Sequence, residues 1–354
     1  MDRIPVYIDI ENLAEIFSFD RGSDIFYGMK KFLSSESILT FSMDENDLFS
    51  HPLYEHVAKE LVKSNYLTKC LDETEDYLRH PFKTNLQHYL QNKSSIVFSH
   101  DTDRVNSCVD CNGILIGGLG QEQTIYNRLN YFRDTYKAFR ILTIGDRFNG
   151  YKDIEPHILP FTDLIINEPY LFVPEQKNYH LEKYLECNFK SLMRSLLCSV
   201  KNKINISILV FENIENESIP SKFSPWYDHT TKSYEKLYDY INDFLRKEIG
   251  GARFKLWLVV SPYLRKARHD RFILTNYQFI NANAGLTFFD DHGIFINRGE
   301  AIEMYSIMDD NYRKELLPSV LKNLQEKVVN NVKTTHAMRI FGIKNGDSFF
   351  LKYT

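Results

Sequence analysis

The chain has 354 residues, 43% of them hydrophobic and 25% charged, with a formal net charge of −4. Those values suit one large or two ordinary globular domains, and they exclude a uniformly basic nucleic-acid coat, so any polyanion site must be a local patch. No apolar run reaches the roughly 18 residues that a membrane span needs, and five scattered cysteines after the opening MDRIPVYIDI lead us to expect reduced thiols and a cytoplasmic location.

From the amino end, Val6–Ile10 is a β-branched run that predicts a buried strand, and Glu11–Phe19 has helical spacing. Strands are expected at Ser37–Met43, Ser94–Ser99, Asn112–Gly118 and Phe139–Gly145. Between them, His51–Leu67 and Gln123–Phe139 carry apolar residues at i, i+3, i+4 and predict helices. Alternating strands and helices favour α/β layering. Gly150, Pro156 and Pro160 interrupt periodic structure within Asn149–Pro160, which places a domain boundary near 155.

The pattern after the boundary is cleaner. Thr162–Phe172 predicts a strand that runs into a Pro-Tyr turn, and residues 178–200 a helix with Leu181, Leu185, Leu192 and Leu196 on one face. Ile204–Glu212 is a second strand. Thr231–Gly251 is a helix closed by Gly250-Gly251, and Phe254–Ser261 a third strand. Arg271–Asn276 and Ala284–Asp290 are expected to be consecutive strands. The tail holds a helix near Asn311–Asn330 and a hairpin turning at Asn345-Gly346. The expected fold class is therefore α/β throughout: an N-terminal α/β domain of unassigned type (1–155), a second α/β domain (156–300), and a helical and hairpin tail (301–354).

One stretch carries chemistry. LRKARHDRFILTN, Leu264–Asn276, gathers Arg265, Lys266, Arg268 and Arg271 around His269 between two predicted strands. Cations around a histidine suit a phosphate, because guanidinium forks match its oxygens and an imidazole can move its proton. His269-Asp270-Arg271 resembles the motif of the phospholipase D superfamily, in which a histidine, a lysine two residues on, an aspartate and a Gly-containing turn follow one another. Arg271 stands at the lysine position, Asn276 at the aspartate position and Gly285 near the turn, while the strand ending in Glu168-Pro169-Tyr170 resembles that fold's first core strand. The nearest pattern is the single-motif His-Asp-Arg branch, as in the C-terminal phospholipase D-like domain of MIT-domain proteins of the ESCRT system, a branch understood to bind acidic headgroups without hydrolysing them.

The resemblance implies a phospholipase D-like second domain. It implies a phosphate-binding set of Arg265, Lys266, Arg268, His269 and Arg271, and a catalytic set of His269, Arg271 and Asn276. An active site of this kind needs two facing histidines, one to form a phosphohistidine and one to protonate the leaving oxygen. A single motif per chain would thus require a homodimer. Arginine at 271 keeps the charge, but asparagine at 276 removes the anion that steadies an imidazolium. In a serine-protease triad the same exchange lowers turnover by about 10⁴. We therefore expect a binder of phosphodiesters, nucleic acid first, with weak or no catalysis, in a microbial defence or DNA-processing setting. A metal-independent homodimeric nuclease acting through His269 and a protein-interaction scaffold are the alternatives.

Other signals are weaker. Cys108 and Cys111 lack a second ligand pair for zinc, and Gly117–Gln121 lacks the lysine of a phosphate loop. Asp9, Glu11, Asp101 and Asp103 fall near strand ends. Four such carboxylates could gather Mg²⁺, but we read them as solvated acids, and we expect no metal and no cofactor. Phe272, Tyr277, Phe288 and Phe289 could stack on bases, though alternation along strands makes most of them core.

Overall fold

The computed structural model of the chain describes residues 4–41, 43–70, 95–99, 114–118, 140–143, 146–158, 161, 163–168, 170–174, 179–198, 204–212, 225–251, 254–262, 271–275, 278–282, 285–296, 301–306, 311–325 and 340–342. The chain divides into two compact units, Met1–Lys137 and Ala138–Thr354. Both are α/β, as the alternation of patterns implies.

The first unit is built on five strands: β1 (Ile4–Ile8), β2 (Ser37–Phe41), β3 (Leu67–Cys70), β4 (Ser95–Ser99) and β5 (Ile114–Gly118). They lie in the order β3-β2-β1-β4-β5 and every pairing is parallel. Parallel neighbours need crossovers. The described ones are helices α1 (Ile10–Ser18), α2 (Asp24–Lys31), α3 (Glu45–Ser50) and α4 (Tyr54–Lys63). Ile10, Leu13, Ile16 and Phe17 of α1 are buried, as are Val6, Ile8, Leu39 and Phe41 of the sheet. The helix expected through Leu67 stops at Lys63. Asn65 adopts φ +51 and the Tyr66 N–H returns to the Leu61 carbonyl, so the chain turns and Leu67 begins β3. The expected helix at Gln123–Phe139 and the Cys108-Cys111 pair lie outside the described residues.

The second unit holds a mixed sheet of eight strands: β6 (Arg140–Thr143), β7 (Asp163–Asn167), β8 (Ile204–Glu212), β9 (Phe254–Pro262), β10 (Phe272–Thr275), β11 (Gln278–Ala282), β12 (Ala301–Ser306) and β13 (Ile340–Gly342). Their order is β13-β9-β8-β7-β10-β11-β12-β6. The central β7, β8 and β9 are parallel and the rest are antiparallel. Their continuous apolar runs fit strands covered on both faces. Leu181–Leu197, with a π-helical stretch at Glu186–Lys190, and Glu235–Ile249 contribute buried faces to the larger core. Tyr312, Leu317 and Leu324 join a second cluster with Ile165, Leu209, Trp257 and Leu274.

Ala284–Asp290 is not a strand: within the described part, Gly285 to Asp290, a lone bridge pairs Phe289 with Phe295. The strand after β10 is β11 (Gln278–Ala282), which pairs with it antiparallel. Past it, Gly285 at φ +96 breaks the extended chain. The Leu286 and Phe289 amides then go to the side chains of Glu168 and Asn188 in place of a neighbouring strand. β6 pairs with β12 and belongs to the second sheet. The Asn345-Gly346 turn lies outside the described residues.

Candidate functional site

The site is built at the end of the second sheet where the parallel strands finish. The β7–β10 register pairs Phe272 with Asn167, and carried one residue further it sets Arg271 opposite Glu168. This is the carboxyl-terminal edge of β7, β8 and β9. It is also the edge at which β9 leaves the sheet and β10 enters, so both anchors of the cationic loop stand there.

Glu168 is fully buried and held by backbone. One carboxylate oxygen accepts the Tyr170 N–H at 3.0 Å, the other the Leu286 N–H at 2.6 Å. Burial pushes the carboxyl above its ordinary range, while the Arg271 guanidinium and the two amides pull it back down without cancelling the effect. Arg271 lies over the Tyr170 ring, its guanidinium carbon 5.0 Å from the centroid. The backbone of Tyr170 is itself tied down, its carbonyl accepting the Tyr184 hydroxyl at 3.1 Å.

Gly285 closes the arrangement, and its identity is dictated twice. Its φ of +96 disfavours any side chain, and a β-carbon there would lie 2.6 Å from Arg271 Nη1 and 3.1 Å from Glu168 Oε2. The arginine and the carboxylate therefore both border the space that the missing side chain leaves. Next to it, the Tyr151 hydroxyl donates to the Leu286 carbonyl at 2.6 Å. Asn188 donates from Nδ2 to the Phe289 carbonyl at 2.7 Å and accepts the Phe289 N–H on Oδ1 at 3.1 Å. The glycine turn is thus bolted to three elements.

Of the residues singled out in the sequence, Arg271 and Gly285 come together here. Arg265, Lys266, Arg268, His269 and Asn276 lie outside the described residues, as does Tyr277. Phe272, Phe288 and Phe289 are buried, so they serve the core. Sequence reasoning noted the Glu168-Pro169-Tyr170 step as a fold marker but missed its role. Glu168 receives the arginine's charge and Tyr170 its flat face. An acid before Pro-Tyr at the end of an apolar strand, with an arginine opening another predicted strand, is the signal that could have found it.

No protein-family model matches the sequence, and no curated protein matches it either. Among solved structures, phosphatidylserine synthase from Haemophilus influenzae Rd KW20 aligns over 97% of this chain and 83% of its own. The TM-score is 0.31 and the identity 8%, too slight a likeness to carry an argument. Among the described residues no helix is long and apolar enough to cross a membrane.

Proposed function

We propose that the second unit binds a phosphate or phosphodiester group, that of nucleic acid first, on the loop bearing Arg265, Lys266, Arg268 and His269, with Arg271 at its base and little or no turnover. The observation that carries this reading is the position of Arg271. It stands at the carboxyl-terminal edge of the parallel strands, where ligands of open α/β sheets collect, and it is oriented by Glu168, Tyr170 and the Gly285 turn. A guanidinium has five donors, enough to serve a carboxylate and a phosphate together. Nucleic acid is preferred to a lipid headgroup because no polybasic or amphipathic anchor accompanies the motif.

Fluorescence anisotropy with a short single-stranded DNA tests this. Affinity should fall steeply as salt rises, and Arg265→Ala with Arg268→Ala should weaken it by roughly 1–3 kcal/mol, with the DNA intact after hours of incubation. Salt-insensitive binding, or none, sinks the proposal. Cleavage that survives EDTA and vanishes in His269→Ala would replace the binder with the dimeric nuclease.

A further inference from the structure

The first unit offers a second site, unrelated to the cationic loop. In a parallel sheet ordered β3-β2-β1-β4-β5, the chain leaves β1 toward β2 and β3 and later returns to the other side as β4 and β5. The connections therefore diverge between β1 and β4. The crevice outside the carboxyl ends of those two strands is where such sheets take ligands. Asp9 stands at that point. It follows the last residue of β1, its N–H donates to the Phe98 carbonyl of β4 at 3.0 Å, and it begins α1.

Two features set Asp9 apart from the solvated strand-end acid that the sequence suggested. It is 1% exposed, and although it occupies the capping position of α1, its side chain makes no capping hydrogen bond. Asp44 and Ser23, which begin α3 and α2, each accept a helix amide on the side chain in the ordinary way.

Asn12 supplies the independent observation. It stands three residues after Asp9, on the same side of the first turn of α1. It is completely buried, and among the described residues neither its amide oxygen nor its amide nitrogen has a hydrogen-bond partner. A buried primary amide with all its capacity unused is costly, and native proteins rarely keep one without a ligand or ordered water to satisfy it.

We infer that Asp9 and Asn12 hold a divalent cation at the β1–β4 crevice, with Asn12 also binding an oxygen of that cation's water or of a phosphate ligand. A carboxylate and an amide carbonyl are the hard oxygen donors that Mg²⁺ and Mn²⁺ take. Mg²⁺ characteristically uses one or two protein oxygens and fills its remaining positions with water and substrate phosphate. Asn12 is then satisfied at both ends: Oδ1 faces the cation, and Nδ2 donates to an oxygen that the cation carries.

The probe is Mn²⁺, added to the chelator-stripped full chain and followed by loss of the free-ion electron paramagnetic resonance signal. One Mn²⁺ per chain should bind, displaced by Mg²⁺ and not by Na⁺. Asp9→Asn should weaken binding by at least about tenfold. If Asp9→Asn fails to fold, as judged by circular dichroism, Asn12→Asp decides. A second carboxylate at a cation site tightens Mn²⁺ binding and enlarges the rise in melting temperature that the ion produces, whereas a carboxylate buried for no purpose only destabilises. A wild-type chain that leaves the Mn²⁺ signal intact at millimolar protein, or an Asp9→Asn chain that binds as well as wild type, overturns the inference.

Discussion

Glu168 shows how one residue can be fixed by structure and still tuned toward a ligand. Its two oxygens each accept a backbone amide, and Arg271 lies close by, yet burial prevails and the carboxyl titrates above its ordinary value. The consequence for stability has a definite sign. Between the ordinary glutamate range near 4.5 and the raised value, the folded chain keeps a proton that the unfolded chain has released. Stability therefore declines as pH rises through that window. Glu168→Gln removes this titration. The difference in unfolding free energy between wild type and variant, read from denaturant midpoints, should change with pH by up to about 1.4 kcal/mol per unit in the window. Parallel curves for the two proteins would show that Glu168 titrates normally. The same property bears on the site: a protonated Glu168 leaves the Arg271 charge to an anion, so phosphate affinity should be greater on the acid side of this window.

Among the elements, the irregular chain after Gly285 does most to shape the site and was least visible in the sequence. β7, β8 and β9 were legible because strands covered on both faces are rich in Ile, Leu, Val and aromatic residues, with only isolated polar ones such as Asn205, Ser207 and Lys255. The β8 bounds match the apolar stretch Ile204–Glu212 residue for residue. β11 was missed because Gln278 and Asn281 break its apolar run, although Gln278 is buried, its side-chain amide donating to the His157 carbonyl at 2.6 Å. Phe288 and Phe289 imitated a strand because both are core residues, but what holds them is polar and remote in sequence. Asn188, from the π-helical stretch, serves both the N–H and the carbonyl of Phe289, and its Nδ2 also donates to the Tyr184 carbonyl. A single buried amide that replaces a strand's ladder leaves no periodic trace. Asn188→Leu should cost about 2–4 kcal/mol, since it strands several buried backbone groups. Hydrogen exchange should show the loss concentrated in 285–296. A cost under about 0.5 kcal/mol would mean that other contacts hold this segment.

At the scale of the whole chain, the position of the division between units is itself testable. Each sheet is completed by strands of its own unit. Among the described residues, the first draws on β1–β5. The second needs β6, whose Arg140–Thr143 pairs with Ala301–Met304 of β12. Prolines and a glycine near 155 suggested a break there, but the stretch before it is anchored in the second core. Phe148, Tyr151 and Ile154 are all buried, Phe148 lies against Phe288 with ring centroids 4.8 Å apart, and the Tyr151 hydroxyl reaches the Leu286 carbonyl. Removing three such side chains forfeits roughly 1.5–3 kcal/mol each, with an unpaired β12 edge added, against a typical domain stability of about 5–15 kcal/mol. A fragment of residues 138–354 should therefore unfold cooperatively on heating, whereas one of residues 156–354 should aggregate or bind a hydrophobic dye as expressed. Equal cooperativity in the two fragments would show that β6 and the segment after it are dispensable. The glycine turn, and with it the orientation of Arg271, would then be held well enough by Glu168 and Asn188 without Tyr151.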